Sequence, residues 1–192
     1  MGKIVVSEFI SMDGVIEAPG GPPGFKHAGW TGGISSGEEG TRFKYAELME
    51  SEAQLLGRET YEGFAAAWPD MIEMTGDFGQ KMNDMPKYVV SSTLDSAEWK
   101  NSTVLRGDPV ERVRTLKEQI DGTIIVFGSG RLVHTLIQHD LVDELRLMVH
   151  PVVVGSGKRL FREAPDVKRL QLVGAEVMGE VVVLTFHPKQ AA

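Results

Sequence analysis

Apolar positions along the chain fall into short runs and helical stripes that alternate. Lys3–Ile10 reads as a buried strand, Ile4-Val5-Val6 then Phe9-Ile10, interrupted by Ser7 and Glu8. Between Gly14 and Gly40 the pattern breaks down. Nine glycines fall there with Pro19, Pro22 and Pro23, and so long an irregular stretch predicts a lid or binding loop. Phe25, His27 and Trp30 give that loop side chains with which to pack. A helix follows, opened by Ser36-x-x-Glu39 as a capping box, with Tyr45, Leu48, Met49 and Ala53 as its apolar face. Gln54-Leu55-Leu56 is a strand ending at Gly57. Tyr61, Phe64, Ala65 and Trp68 mark a second helix that Pro69 stops. Residues 71–86 read as an insertion with Phe78, Met82 and Met85 at helical spacing.

Tyr88-Val89-Val90 and Thr103-Val104-Leu105 are two further strands. Asp108-Pro109-Val110-Glu111 is a helix start: an acidic cap, Pro at the first helical position and Glu three residues after the cap. Val110, Val113, Leu116 and Ile120 form its buried stripe. Thr123–Phe127 is a wholly apolar strand. Gly128-Ser129-Gly130 then turns into a helix carrying Leu132, Val133, Leu136 and Ile137. Residues 144–154 alternate as a strand, and 170–177 with 181–186 read as a hairpin around Met178-Gly179-Glu180. Strand–helix alternation through residue 140 predicts an α/β fold, a three-layer α-β-α arrangement, mostly parallel, with a C-terminal antiparallel hairpin, and the length suggests one domain over residues 1–192 or at most two small ones.

Composition narrows the chemistry. With no Cys among 192 residues, a disulfide scaffold, a thiol nucleophile and the Cys-ligated zinc of nucleobase deaminases are excluded. The five His show no metal-ligand spacing, so no metal site is expected. The net charge of −7 offers no basic surplus for nucleic acid, and the first apolar run is too short and too polar for a membrane span. A cytoplasmic protein is expected. Residues 1–96 hold 7 Lys/Arg against 15 Asp/Glu, whereas residues 97–192 hold 13 against 12.

Ligands of parallel sheets bind at the carboxyl ends of the strands. Four predicted strands end there in small or polar groups: Ser11-Met12-Asp13-Gly14, Gly57-Arg58-Glu59-Thr60, Ser91-Ser92-Thr93 and Gly128-Ser129-Gly130. Hydroxyls, helix N-termini and one Arg make a rim suited to phosphate. Singly, each motif is also an ordinary turn or cap. Gly128-Ser129-Gly130 lacks the third glycine of the dinucleotide fingerprint, Val133 standing in its place. Asp13 and Glu8 are the candidate proton-handling groups; Asp13-Gly14 is equally a turn signal, and Glu8 fits a strand edge facing water.

Taken together, SMDGVIE at 11–17, LLGRETYEGF at 55–64, KYVVSSTL at 87–94, IIVFGSGRLVHTL at 124–136 and LVDELRLMVHPVVVGSGKRLF at 141–161 resemble the dihydrofolate-reductase-like family. Within it they are most similar to the reductase half of the bifunctional riboflavin-biosynthesis deaminase–reductase. The resemblance implies an NADPH-dependent oxidoreductase acting on a small pterin- or pyrimidine-like heterocycle, and a homodimer. By that likeness Gly57, Arg58, Thr60 and Tyr61 hold the cofactor phosphates. Ser91, Ser92 and Thr93 flank the 2′-phosphate. Gly128, Ser129, Gly130, Arg131 and Leu132 take the pyrophosphate, and Ser11, Met12 and Gly14 cover the nicotinamide. Two positions depart from the family pattern. The helix carboxylate of folate reductases falls near Thr41, and Phe127 stands where the riboflavin-pathway reductases carry Glu. These departures leave room for a nucleotide-binding domain without catalysis, or for a flavin or deazaflavin as cofactor.

Overall fold

A computed structural model describes residues 1–21 and 24–189; Pro22 and Pro23 of the glycine-rich stretch lie outside the described residues. One eight-stranded sheet organises the chain, in the order β4-β3-β2-β5-β1-β6-β8-β7. Its strands are β1 (Lys3–Ser11), β2 (Ser51–Gly57), β3 (Lys87–Val90), β4 (Ser102–Leu105), β5 (Thr123–Phe127), β6 (Glu144–His150), β7 (Leu170–Met178) and β8 (Val181–Pro188). The first six in spatial order are parallel, and β8 and β7 close the sheet antiparallel. This is the predicted architecture, and it puts β1 between β5 and β6 at the centre.

Side chains of the central strands alternate between two helical layers. Ile4, Val6, Ala53, Leu55, Ile124 and Val126 face α5 (Pro109–Gln119) and α6 (Gly130–Gln138), meeting Val113, Leu116, Val133 and Leu136. Leu56, Ile125 and Phe127 face the opposite layer: α1 (Gly37–Met49), α2 (Arg58–Ala67) and α4 (Asp77–Asp84), which buries Met82. A 3₁₀ turn (Trp68–Met71) and the one-turn α3 (Ile72–Thr75) link α2 to α4. The Asp108 cap forms as its residues predict, accepting the Glu111 N–H at 2.9 Å. Each fully buried Val or Leu in these layers contributes about 1.5–3 kcal/mol of transfer free energy.

Three local expectations are corrected. Ser36 makes no capping bond. The approach to α1 is fixed instead by the β7–β8 turn, where the Glu180 carboxylate accepts the Ser35 N–H and the Ser35 carbonyl accepts the Glu180 N–H. Helix α1 ends at Met49, and Ser51 donates its hydroxyl to the Glu47 carbonyl. Ala53 therefore belongs to β2, and Tyr45 is largely exposed rather than part of a buried face. The strand expected over 144–154 stops at His150, because Pro151 offers no N–H to continue the ladder.

Far from the rim, Lys87 is wholly buried at the start of β3. Its ammonium donates to the carbonyls of Asn83, Met85 and Lys100 at 2.7, 2.8 and 2.9 Å and lies 4.3 Å from the Trp99 ring centroid. Burial pushes its pKa down to about 8 from an ordinary 10.5. Between those values the unfolded chain holds a proton that the folded chain has lost, so stability rises with pH across that window. Urea unfolding of wild type and Lys87→Met at pH 7.5, 9 and 10.5 should show wild type gaining relative to the variant, by up to about 3 kcal/mol. A pH-independent difference would refute this.

Candidate functional site

The four polar motifs do sit at the carboxyl ends of parallel strands β1, β2, β3 and β5. Strands β2 and β5 are neighbours, and their terminal turns interlock. Gly57 N–H donates to Ser129 Oγ at 2.9 Å, and Ser129 N–H donates to Thr60 Oγ1 at 2.9 Å. The Ser129 hydroxyl in turn donates to the Phe127 carbonyl at 3.1 Å. The turn is made by two successive left-handed residues, Gly128 (φ 55°) and Ser129 (φ 58°). A Cβ at Gly128 would lie 3.0 Å from Thr60 Oγ1, and one at Gly130 would lie 2.8 Å from Ile16 Cδ1. Glycine at both is what lets α2, β5 and the segment after β1 close together.

The interlock sets the N-termini of α2 and α6 side by side. No side chain caps either one, in contrast to Asp108 on α5. Their first-turn N–H groups and dipoles converge on the rim. Arg58, exposed at the start of α2, pairs with Glu62 at 3.0 Å, and Arg131 is exposed on α6. Leu132 packs its side chain into the core and presents only backbone to the rim. Tyr61 is a correction to the phosphate set. It is buried, and its hydroxyl accepts the Trp99 N–H at 2.9 Å, so it anchors the core beneath the site. The Ser91 hydroxyl is engaged locally, accepting the N–H groups of Thr93 and Leu94, while Ser92 and Thr93 are exposed. Arg106, which sequence reasoning missed, lies beside this turn and donates to the Leu94 and Asp95 carbonyls at 2.7 and 2.8 Å.

The two candidate carboxylates differ sharply. Asp13 accepts from the Ser11 hydroxyl at 2.7 Å and from the Val154 and Gly155 N–H groups at 3.0 and 2.9 Å, with Arg159 at 3.4 Å. The Ser11 hydroxyl, then the Val154 N–H, hold it well below the usual carboxylate range. Asp13 is thus an ionised clamp joining the end of β1 to the segment after β6, which corrects the proton-donor expectation. Within that turn Met12 is exposed, and Gly14 takes φ 83°. Glu8 is no edge residue facing water. It is buried in the centre of the sheet, where Oε2 accepts the Gly128 N–H at 3.1 Å and Oε1 has no partner among the described residues. Burial pushes its pKa well up, against the nearby Lys44 charge and the Gly128 N–H.

Sequence reasoning also missed what α1 contributes. Thr41 is exposed and bonds only the Gly37 carbonyl. One turn on, Lys44 and Glu47 point into the molecule and meet Ser7 of β1. Farther along the same sheet face His150 is buried, donating from Nδ1 to the Met148 carbonyl at 2.9 Å, with burial pushing its pKa down. Phe9 and Trp30 pack edge-to-face on its ring, with centroids 5.4 and 5.5 Å away. Trp30 is held by its indole N–H on the Glu17 carbonyl, so the glycine-rich loop is folded over the ends of β1 and β6.

This sheet order, with paired helix N-termini above β2 and β5, defines an α/β domain of the dihydrofolate-reductase-like class. The model of the RibD C-terminal domain family matches residues 2–184, and the chain belongs to that family. An uncharacterized Bacillus subtilis protein, YyaP, is 28% identical over 96% of this chain and 94% of its own length. Among solved structures, a Shewanella sp. PV-4 protein provisionally assigned to riboflavin biosynthesis superposes with a TM-score of 0.74 at 19% identity, covering 98% of this chain and 99% of its own. Enterococcus faecalis dihydrofolate reductase, solved with NADP(H) and RAB-propyl, superposes with a TM-score of 0.58 at 17% identity over 98% and 97% of the two chains.

Glu8 yields a test of its surroundings. The unfolded carboxyl ionises near its ordinary 4.5, while the folded one retains its proton to higher pH. The unfolded state therefore binds fewer protons above that point, and wild-type stability falls as pH rises. Glu8→Gln keeps an acceptor for Gly128 and cannot ionise. Denaturant melts from pH 4.5 to 8 should show the variant gaining on wild type as pH rises; a constant gap would contradict a protonated Glu8.

Proposed function

We propose that this chain is an NADPH-dependent reductase acting on a small heterocyclic substrate. The observation that carries the reading is the interlock of Gly57, Thr60 and Ser129, which aims two uncapped helix N-termini at one place on the rim of a reductase fold. That donor set fits a dinucleotide: backbone N–H groups of Gly130, Arg131 and Leu132 for the pyrophosphate, with the Thr60 hydroxyl beside them and Gly57 holding the turn through Ser129. When bound, reduced nicotinamide supplies hydride. Arg58 is held only by an exposed i,i+4 pair worth a few tenths of a kcal/mol, so it exchanges Glu62 for a phosphate at little cost. With Arg58, Ser92, Thr93 and Arg106 near one side, the 2′-phosphate of NADP has donors where NAD would call for an acid. Asp13 keeps Ser11, Met12 and Gly14 in a fixed turn beside the nicotinamide position. Trp30 holds the glycine-rich loop down, excluding water from the strand ends. Of the two carboxylates, Glu8 is the one whose pKa burial pushes up, and Asp13 the one whose pKa is held down, first by the Ser11 hydroxyl.

Fluorescence titration with NADPH should give saturable binding. Gly128→Ala, which crowds Thr60 in a left-handed turn, should weaken it about tenfold or more. Arg58→Ala should cut the preference for NADPH over NADH by about tenfold. No saturable binding at millimolar cofactor would overturn the reading.

A homodimer belongs to the same proposal. The edge strand β7 leaves Leu172, Val173 and Val177 exposed, an apolar strip beyond the covered part of the sheet. Light scattering should return twice the chain mass of 21.0 kDa, and Val177→Glu should shift it toward one. A wild-type monomer at high micromolar concentration would refute the dimer.

A further inference from the structure

Lys44 is a cation held between two aromatic rings. Its ammonium lies 4.7 Å from the Phe127 ring centroid and 4.9 Å from that of Phe9. Both rings stand near the carboxyl ends of adjacent central strands, and Phe127 immediately precedes the Gly128–Gly130 turn. An ammonium has three N–H donors. One goes to Ser7 Oγ at 2.9 Å and one to the Glu47 carboxylate. Among the described residues nothing accepts the third.

The surroundings leave that charge incompletely answered. Glu47 is buried, and it also receives the Ser7 hydroxyl at 2.8 Å and faces Arg146 at 3.6 Å. One carboxylate is therefore shared by two cations. Arg146 bonds Glu144 at 2.5 Å, farther toward the start of β6. Glu8, the other acid near Lys44, is pushed toward its neutral form, and buried His150 toward its neutral imidazole. Glu47 is sealed off, whereas the Lys44 side chain is 18% exposed. Its desolvation is largely met in the folded protein, so a ligand anion would find a fixed, preorganised donor there. A lysine serving only to satisfy Glu47 would need neither the two ring faces nor a spare donor.

We propose that Lys44 is the substrate-specificity residue of this site, and that it binds an anionic oxygen carried on a planar ring. The ring would lie against Phe9 and Phe127 with its negatively charged oxygen on the free N–H of Lys44. A cation of the same shape is excluded by like charge. The inference rests on the reductase reading, because it places this subsite next to the nicotinamide position.

Benzoate and benzamidine are flat probes of nearly equal shape and opposite charge. Ligand-observed NMR titrations, with and without NADPH, should show wild type binding benzoate at least about tenfold more tightly than benzamidine. Removing Lys44 alone would strand Glu47, so the variant is Lys44→Met with Glu47→Gln. It should lose the benzoate preference and keep its NADPH affinity within about twofold, which a purely structural lysine would not produce. Equal affinities, a benzamidine preference, no benzoate binding, or an unchanged preference in the double variant would each overturn the proposal. Should the double variant misfold, the wild-type comparison decides alone. Benzoate selectivity without NADPH binding would sink the reductase reading and leave Lys44 standing; NADPH binding without benzoate selectivity would do the reverse.

Discussion

Everything at the rim depends on two short bonds between neighbouring strand ends: Gly57 N–H to Ser129 Oγ and Ser129 N–H to Thr60 Oγ1. They fix α2 and α6 relative to each other at their N-terminal ends, where the free N–H groups are. Neither bond tolerates displacement of its partner. Ser129 can offer both its hydroxyl and its N–H only because its backbone is left-handed, and Gly128 can precede it only because it lacks a Cβ that would press on Thr60. A slip of one residue in the pairing of β2 with β5 would exchange Ile124 and Ile125 between layers and misplace both turns together.

Buried charge is the second constraint, and it is handled differently in each place. Lys87 is surrounded by carbonyls and an aromatic face, which makes it a closed structural device. Glu8 is left half-satisfied beneath the glycine turn, with one oxygen bonded and one orphaned. Lys44 and Glu47 are paired with each other and with Ser7, while the buried Glu47 Oε2 accepts no hydrogen bond among the described residues. Stability alone would favour apolar substitutes at the last two places. Both lie under the strand ends rather than in the outer layers.

Local features were legible in the sequence. The Asp108 cap, the α5 stripe, the β5 run and the four polar strand ends depend on a few adjacent residues, and all form where their patterns put them. The order of the strands within the sheet was left open, because it is set by pairings between segments far apart in the chain. What escaped was set by distant partners. Lys44 and Glu47 look like a solvated i,i+3 pair until β1 supplies Ser7 and β5 supplies Phe127. Asp13 looks like a free turn acid until Val154 and Gly155 come to it from the far end of the chain. At Tyr61 the helical periodicity pointed inward and the likeness pointed to the cofactor; the structure sides with the periodicity, because Trp99 needs its hydroxyl.

The central place of β1 also dictates an order of events during synthesis. Its two neighbours are β5 and β6, and the Asp13 clamp closes on residues 154 and 155. Strand β1 therefore has no edge to join until β5 and β6, more than a hundred residues further along, have emerged. Strands β2 and β3 can pair early, but Ile4, Val5 and Val6 must wait as an exposed, aggregation-prone segment. Ser7 and Glu8, polar residues in the middle of that strand, interrupt the apolar run during the wait. Two side chains that end up buried beneath the strand ends thus first interrupt the apolar run of the nascent chain.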